Sequence, residues 1–156
     1  MRASILRHGM NAWPPFLFSG IHITALAEDY RHARVELRRR WYNRNYVGTH
    51  FGGSLFAMTD PFWMLLTMHA LGRDYYVWDQ AAEISFLKPG RGTVHASFDL
   101  GDDVIDAMRA ATAGGAKHLH WFDTDVVDAE GDVVAAVRKQ VYVRRKPDRR
   151  VESAGA

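Results

Sequence analysis

The spacing of apolar positions changes repeatedly along the chain, and each change marks an element. Residues 1–19 are apolar without strict alternation, and Pro14-Pro15 divides a short helix from a further turn at Phe16-Leu17-Phe18. From Gly20 the period becomes two. Ala33, Val35 and Leu37 alternate with Arg34, Glu36 and Arg38, the pattern of a strand with one wet face. Residues 20–27 and 31–40 are therefore read as a hairpin turning at Glu28-Asp29-Tyr30. After a loop over 43–51, residues 52–71 have the length and content of a helix that is apolar on nearly every side, stopped by Gly72. Pro61 removes one hydrogen bond within it at a cost of about 3 kcal/mol, so a kink is expected at Asp60.

Alternation then returns. Ala82, Ile84 and Phe86 alternate with Glu83 and Ser85, and Val94, Ala96 and Phe98 with His95, Ser97 and Asp99, giving two half-buried antiparallel strands. Residues 102–113 read as a helix with aspartates at its start and Gly114-Gly115 at its end, either a lid or an outer packing layer. Residues 117–127 and 133–144 form a hairpin around Glu130-Gly131-Asp132. A helix apolar all round must be covered, and a curved sheet does so economically. The expected fold class is α+β: a curved antiparallel sheet of five to six strands wrapped around a long central helix, with extra short helices. We expect a single domain over 1–147, its helical segment at 1–19, followed by a disordered tail over 148–156.

Composition narrows the class without naming an activity. With 156 residues, 47 % apolar and 24 % charged, the chain is an ordinary globular domain. The absence of cysteine excludes disulfides, thiolate metal sites and cysteine nucleophiles. Net charge is only +2, and the basic runs at 38–40 and 144–150 read as solvated strand ends and terminus; no motif for nucleic acid accompanies them. The longest apolar stretch, 54–71, is broken by Asp60 and Pro61 and contains His69, so no membrane span is expected. Without a signal-peptide pattern, a cytoplasmic location is expected.

Chemistry concentrates between Asn45 and Asp60. Gly52-Gly53 at a helix start permits close approach to unpaired N–H groups, which favour a carbonyl oxygen gaining negative charge. Asp60 stands among Phe56, Met58, Phe62, Trp63 and Met64, where desolvation should raise its pKa toward that of a working base. In one helix these two positions are separated by about 12 Å along the axis. They cannot grip one carbonyl together, so a reaction that uses both draws Asp60 from a second copy of the chain.

This segment resembles the hotdog-fold thioesterases, especially those of the phenylacetic-acid pathway, through Asn45, Gly48-Thr49, Gly52-Gly53 and Asp60. The resemblance spans roughly residues 20–145 in element order. It implies that Asn45 orders the loop and water, that the Gly52 N–H polarises a thioester carbonyl, and that Asp60 activates water or attacks directly. It also implies a homodimer or tetramer acting on an acyl thioester, with coenzyme A as part of the substrate and no other cofactor. The chain departs from the family by having Phe51 where His commonly precedes the glycines, with His50 one place earlier. His50-Phe51-Gly52-Gly53 is also similar to the His-Phe-Pro-Gly of hotdog dehydratases, but Met64 stands a turn beyond Asp60 and Leu65 fails the hydratase spacing. A non-catalytic acyl-thioester or lipid-binding protein is the alternative from another class.

Secondary candidates surround this core. Gly53, His50, Phe51 and Ser54 border the substrate position. Trp63, Met64 and Met68 line an acyl channel or belong to the core. Lys88, Arg91, Arg138 and Lys139 are candidate contacts for coenzyme A phosphates. His118 and His120 share a strand face but have no third ligand at useful spacing, so no metal is expected.

Overall fold

A computed structural model describes residues 1–147; the expected disordered tail lies outside the described residues. The element order is α1 (Ala3–Ala12), α2 (Pro14–Ser19), β1 (Ile21–Leu26), β2 (His32–Leu37), α3 (Gly52–Ala57), α4 (Phe62–Leu71), β3 (Tyr75–Phe86), β4 (Val94–Asp99), α5 (Asp102–Thr112), β5 (Lys117–Val127) and β6 (Val133–Arg145). The strands form one antiparallel sheet in the order β1-β2-β4-β5-β6-β3. This is the hotdog plan, with six strands packed against a central helical segment. Both hairpins anticipated from the alternation are present, although β2 ends at Leu37 and leaves Arg38–Arg40 outside the strand. β3 begins at Tyr75, well before the first alternating residue visible in the sequence, and it closes one edge of the sheet.

α4 explains the arrangement. Its buried residues, including Phe62, Trp63, Leu65, Leu66 and Leu71, leave no consistently polar face, so both sides need cover. The sheet covers one side. Beside it lies α5, packed on β5, β6 and α4, whose buried Ile105, Met108 and Thr112 fall at helical spacing and whose Arg109 Nη2 donates to the Ala70 carbonyl at 3.1 Å. α5 thus packs against both the sheet and α4. No helix among the described residues is long and apolar enough to cross a membrane.

Where the sheet is weakest, an α4 side chain reinforces it. β4 and β5 share one register pair, His95 with Val127. Trp63 reaches across both strands, stacking on Phe122 of β5 at 4.2 Å and meeting Phe98 of β4 edge-on at 5.3 Å. Its Nε1 donates to Thr124 Oγ1 at 2.7 Å, satisfying the indole in an otherwise apolar setting. Trp63 is thus a core residue, and the acyl-channel role does not fall to it in a single protomer.

The central helix does more than kink at Pro61. Helical bonding stops after α3; the Thr59 and Asp60 N–H groups bond back to Phe56 and Ala57 carbonyls in a tight turn, and α4 restarts with Leu65 N–H donating to Pro61 O at 2.9 Å. Proline cannot supply the N–H that a continuous helix needs here. The break turns residue 60 outward while returning its apolar neighbours to the core.

Trp63→Ala should lower the unfolding free energy by about 3–5 kcal/mol in urea titration, because it loses buried area and opens the seam between β4 and β5. A loss below about 1 kcal/mol would show that Trp63 does not hold the two strands together.

Candidate functional site

The site begins with a loop that the sequence ties tightly. Asn45 donates through Nδ2 to Thr49 Oγ1 at 2.8 Å and to the His50 carbonyl at 3.1 Å, and its Oδ1 accepts from the Thr49 N–H at 2.9 Å. Both amide hydrogens are spent on the loop, so Asn45 orders it from within. Gly48, at a positive φ of 78°, closes the turn by donating to the Asn45 carbonyl.

His50 fastens the same loop to the segment after β3. It is buried; its Nε2 donates to Gly92 O at 2.6 Å, while its backbone N–H donates to Gly90 O at 3.0 Å. A carbonyl only accepts, so Nε2 carries the hydrogen and Nδ1 is a bare acceptor, buried without a partner. Burial holds the imidazole pKa below its ordinary value; the Gly92 hydrogen bond opposes this and Arg39 adds to it. His50 is a neutral anchor for the loop.

Phe51 begins α3, and no side chain caps it. The N–H groups of Gly52 and Gly53 have no partner among the described residues, as the geometry of a helix start requires. The reason for two glycines is visible: a Cβ on Gly52 would stand 2.9 Å from the Phe86 ring, and one on Gly53 would collide with the Phe51 ring. Two exposed phenyl rings of this chain thus lie against the glycines, forming apolar walls beside the open N–H groups. Ser54 is buried within α3 and does not cap it.

Asp60 departs from its sequence-based expectation. The break before α4 leaves its side chain 63 % exposed, so it is not a desolvated carboxylate among apolar neighbours. It is held instead by Lys139 of β6, whose Nζ donates to Asp60 Oδ1 at 2.5 Å and to the Asp60 carbonyl at 2.6 Å. Lys139 is only 2 % exposed, with its Nζ also 2.9 Å from Asp79 Oδ2 on β3 and about 6.0 Å from the Phe56 ring centre. Desolvation falls on Asp79. Burial pushes its carboxyl above the ordinary range and the Asp60 charge adds to this, against the hydrogen bond and charge of Lys139.

One candidate contact for coenzyme A is corrected by these partners, and the others are placed on the surface. Lys139 is enclosed and unable to meet a phosphate. Lys88 bridges Asp128 at 2.7 Å and Asp132 at 2.5 Å, and those carboxylates hold its ammonium well above the usual lysine range. Arg138 is engaged by Asp123 at 3.0 Å and lies over Trp121, whereas Arg91 is exposed with no partner among the described residues. Met64 is half-buried on α4. Met68 borders a recess of about 1050 Å³ with His69, Tyr75 and Arg145, and this recess contains neither Asp60 nor Gly52. His118 and His120 stand on β5 with ring centres 6.0 Å apart, His120 tilted onto Phe122.

Lys139 is the site residue that sequence reasoning placed wrongly, yet a signal for it existed. The inward row of β6 runs Ala135, Val137, Lys139, Val141 and Val143, all buried, so a lysine in that row must find a buried acceptor.

Comparisons with known proteins agree with this architecture. A family model described as a domain of unknown function, DUF4442, matches residues 2–143. A solved Pseudomonas aeruginosa structure, described as a protein of unknown function and probable thioesterase, superposes with a TM-score of 0.82 at 18 % identity, covering 93 % of this chain and 97 % of that one. A Haemophilus influenzae thioesterase gives a TM-score of 0.67 at 16 % identity over 96 % and 94 % of the two chains. The PaaI protein of the E. coli phenylacetic acid degradation operon gives 0.62 at 19 % identity over 93 % and 94 %. No curated protein matches the chain.

The His50 anchor has a measurable acid signature. Because its folded pKa lies below the ordinary 6.5, the unfolded chain takes up a proton that the folded one refuses, and stability falls as pH drops from that value toward the folded pKa. Thermal midpoints between about pH 7 and pH 5 should fall less steeply for His50→Gln than for the unsubstituted protein. Equal slopes would place the acid sensitivity elsewhere.

Proposed function

The chain belongs to the DUF4442 family, and from that premise we propose that it hydrolyses acyl-coenzyme A or related acyl thioesters as a homodimer. In this reading the Gly52 N–H of one protomer polarises the thioester carbonyl. Asp60 of the other activates water or attacks the carbonyl carbon. The thiol leaves as the tetrahedral intermediate collapses; the carboxylic acid is released directly where water has attacked, or after water cleaves the acyl-Asp60 anhydride where the carboxylate has attacked.

One observation carries the reading: the two halves of the site are joined to well-separated positions along one edge strand. Asp60 is joined through Lys139 to Asp79, while Gly52 lies under Phe86, and both Asp79 and Phe86 belong to β3. Those positions are about 20 Å apart along the strand. Antiparallel pairing of β3 with its copy, about a two-fold axis between Ala82 and Glu83, sets Asp79 opposite Phe86 of the partner subunit. The same pairing carries Asp60 toward Gly52 of the partner subunit and generates two equal sites. Support comes from the strand itself: β3 is long, lies at the sheet edge, and has exposed Ala81, Ala82 and Phe86, a profile that invites another strand. Thioesterases among the structures sharing the fold add support at the level of reaction class.

A second reading, acyl-thioester binding without hydrolysis, is favoured by the Phe51 and Phe86 rings lying over the glycines. Thiol release from a panel of acyl-coenzyme A substrates separates the two. Tight binding without turnover by the unsubstituted protein would establish the binder.

Asp60→Asn should reduce kcat by at least about 10³-fold, as expected when the group that activates or delivers the nucleophile is lost. Gly52→Pro should do likewise, since proline at the first helical position has no N–H and its ring also displaces the Phe86 phenyl. Mixing and reassembling the two inactive variants should restore about a quarter of full activity, because half of the dimers then contain one intact site. No recovery on mixing, with heterodimers demonstrated by mass, would refute a site shared between protomers. Ala82→Glu should yield monomers in light scattering by setting a carboxylate opposite Glu83 of the partner subunit on each side of the two-fold axis.

A further inference from the structure

We propose that Lys139 is the positioning residue of the site, clamping Asp60 so that one carboxylate oxygen is fixed and the other is presented to the substrate. This inference rests on the thioesterase reading and adds a residue to it. Lys139 Nζ makes two bonds to the same residue, one to Asp60 Oδ1 and one to its main-chain carbonyl, so it fixes both the side chain and the turn that bears it. Asp60 Oδ2 is left without a partner among the described residues, on a side chain that is largely open to solvent. A clamped carboxylate with one free oxygen is what a directed water or an in-line attack requires.

Lys139 itself is restrained. Its stem leaves β6 from an inward position between the buried Val137 and Val141, and Asp79 Oδ2 holds the ammonium from β3. The groups that face the ammonium are Asp60 from the turn, Asp79 from β3 and the Phe56 ring from α3. Stability alone does not account for the arrangement. A buried ion pair is commonly no better than an apolar isostere, and the neighbouring row is already valine. Asp79 Oδ1 is also buried with no protein partner among the described residues.

Two measurements test the clamp, one kinetic and one independent of turnover. With acyl-coenzyme A substrates, Lys139→Met should lower kcat about 100-fold with KM within about threefold, since the carboxylate is misdirected while the binding surface is intact. Turnover within about threefold of the unsubstituted enzyme, or a change confined to KM, would overturn the positioning role and leave the thioesterase reading standing. The second measurement is the proton–nitrogen NMR signal of the Lys139 ammonium, identified by its loss in Lys139→Met. It should be protected from exchange and should shift in both Asp60→Asn and Asp79→Asn. Asp60 is exposed, so Asp60→Asn retains the fold; a signal unmoved by that substitution overturns the clamp even if Lys139→Met does not fold. An unsubstituted protein that releases no thiol would sink the thioesterase reading, while the ammonium signal would still decide whether Lys139 holds Asp60.

Discussion

A helix without a polar side can exist in water only if something covers every face, and α4 imposes that demand on the rest of this chain. The sheet answers from one side, and α5 packs beside α4 on β5 and β6. Trp63 shows how strict the demand is, because a single indole spans the seam where β4 and β5 barely pair and finds a hydrogen bond to Thr124 for its one polar atom. The break before α4 follows from the same constraint. Phe62 and its neighbours remain buried only if the turn at 58–61 rotates Asp60 away from them, and Pro61 makes that interruption inexpensive.

Against this apolar background the placement of charge is informative. β6 sends one ammonium into the interior, and the protein surrounds it with two carboxylates and a carbonyl rather than substituting an aliphatic side chain. Interior charge of this kind contributes little net stability, so its value lies in direction: it decides where the Asp60 carboxylate points. The glycine pair is a complementary device. By omitting two Cβ atoms it lets phenyl rings lie on the backbone beside uncapped N–H groups, creating a boundary between apolar wall and hydrogen-bond donor. An acyl thioester, apolar in its chain and polar at its carbonyl, has the same two-part character.

On the proposed reading, neither half of the site is of use within one protomer, because β3 carries them at well-separated positions. Activity is then coupled to assembly. The feature that exposes the chain to unwanted strand pairing, a long uncovered edge, becomes the element that sets the register of the productive pair.

Elements with strong periodicity were legible without the structure: the two hairpins, α5 and the helical content between 52 and 71. Local patterns determine these because alternation and helical spacing report which face is wet, and glycine and proline report where the backbone must turn. The first half of β3 escaped because its exposed positions carry Tyr76 and Trp78 and a half-buried one carries Asp79, so the alternation of faces is not written as an alternation of apolar and polar residues. The environment of Asp60 was inferred in the wrong sense, because sequence neighbours suggested burial while the helix break delivered exposure. Lys139, paired with a residue 79 positions away, had to wait for the fold. What the sequence alone determined was local: secondary structure, turns, and which residue types carry chemistry. What only the tertiary structure decided was electrostatic, because hydration and the partner of each charge depend on which distant strands fold against it.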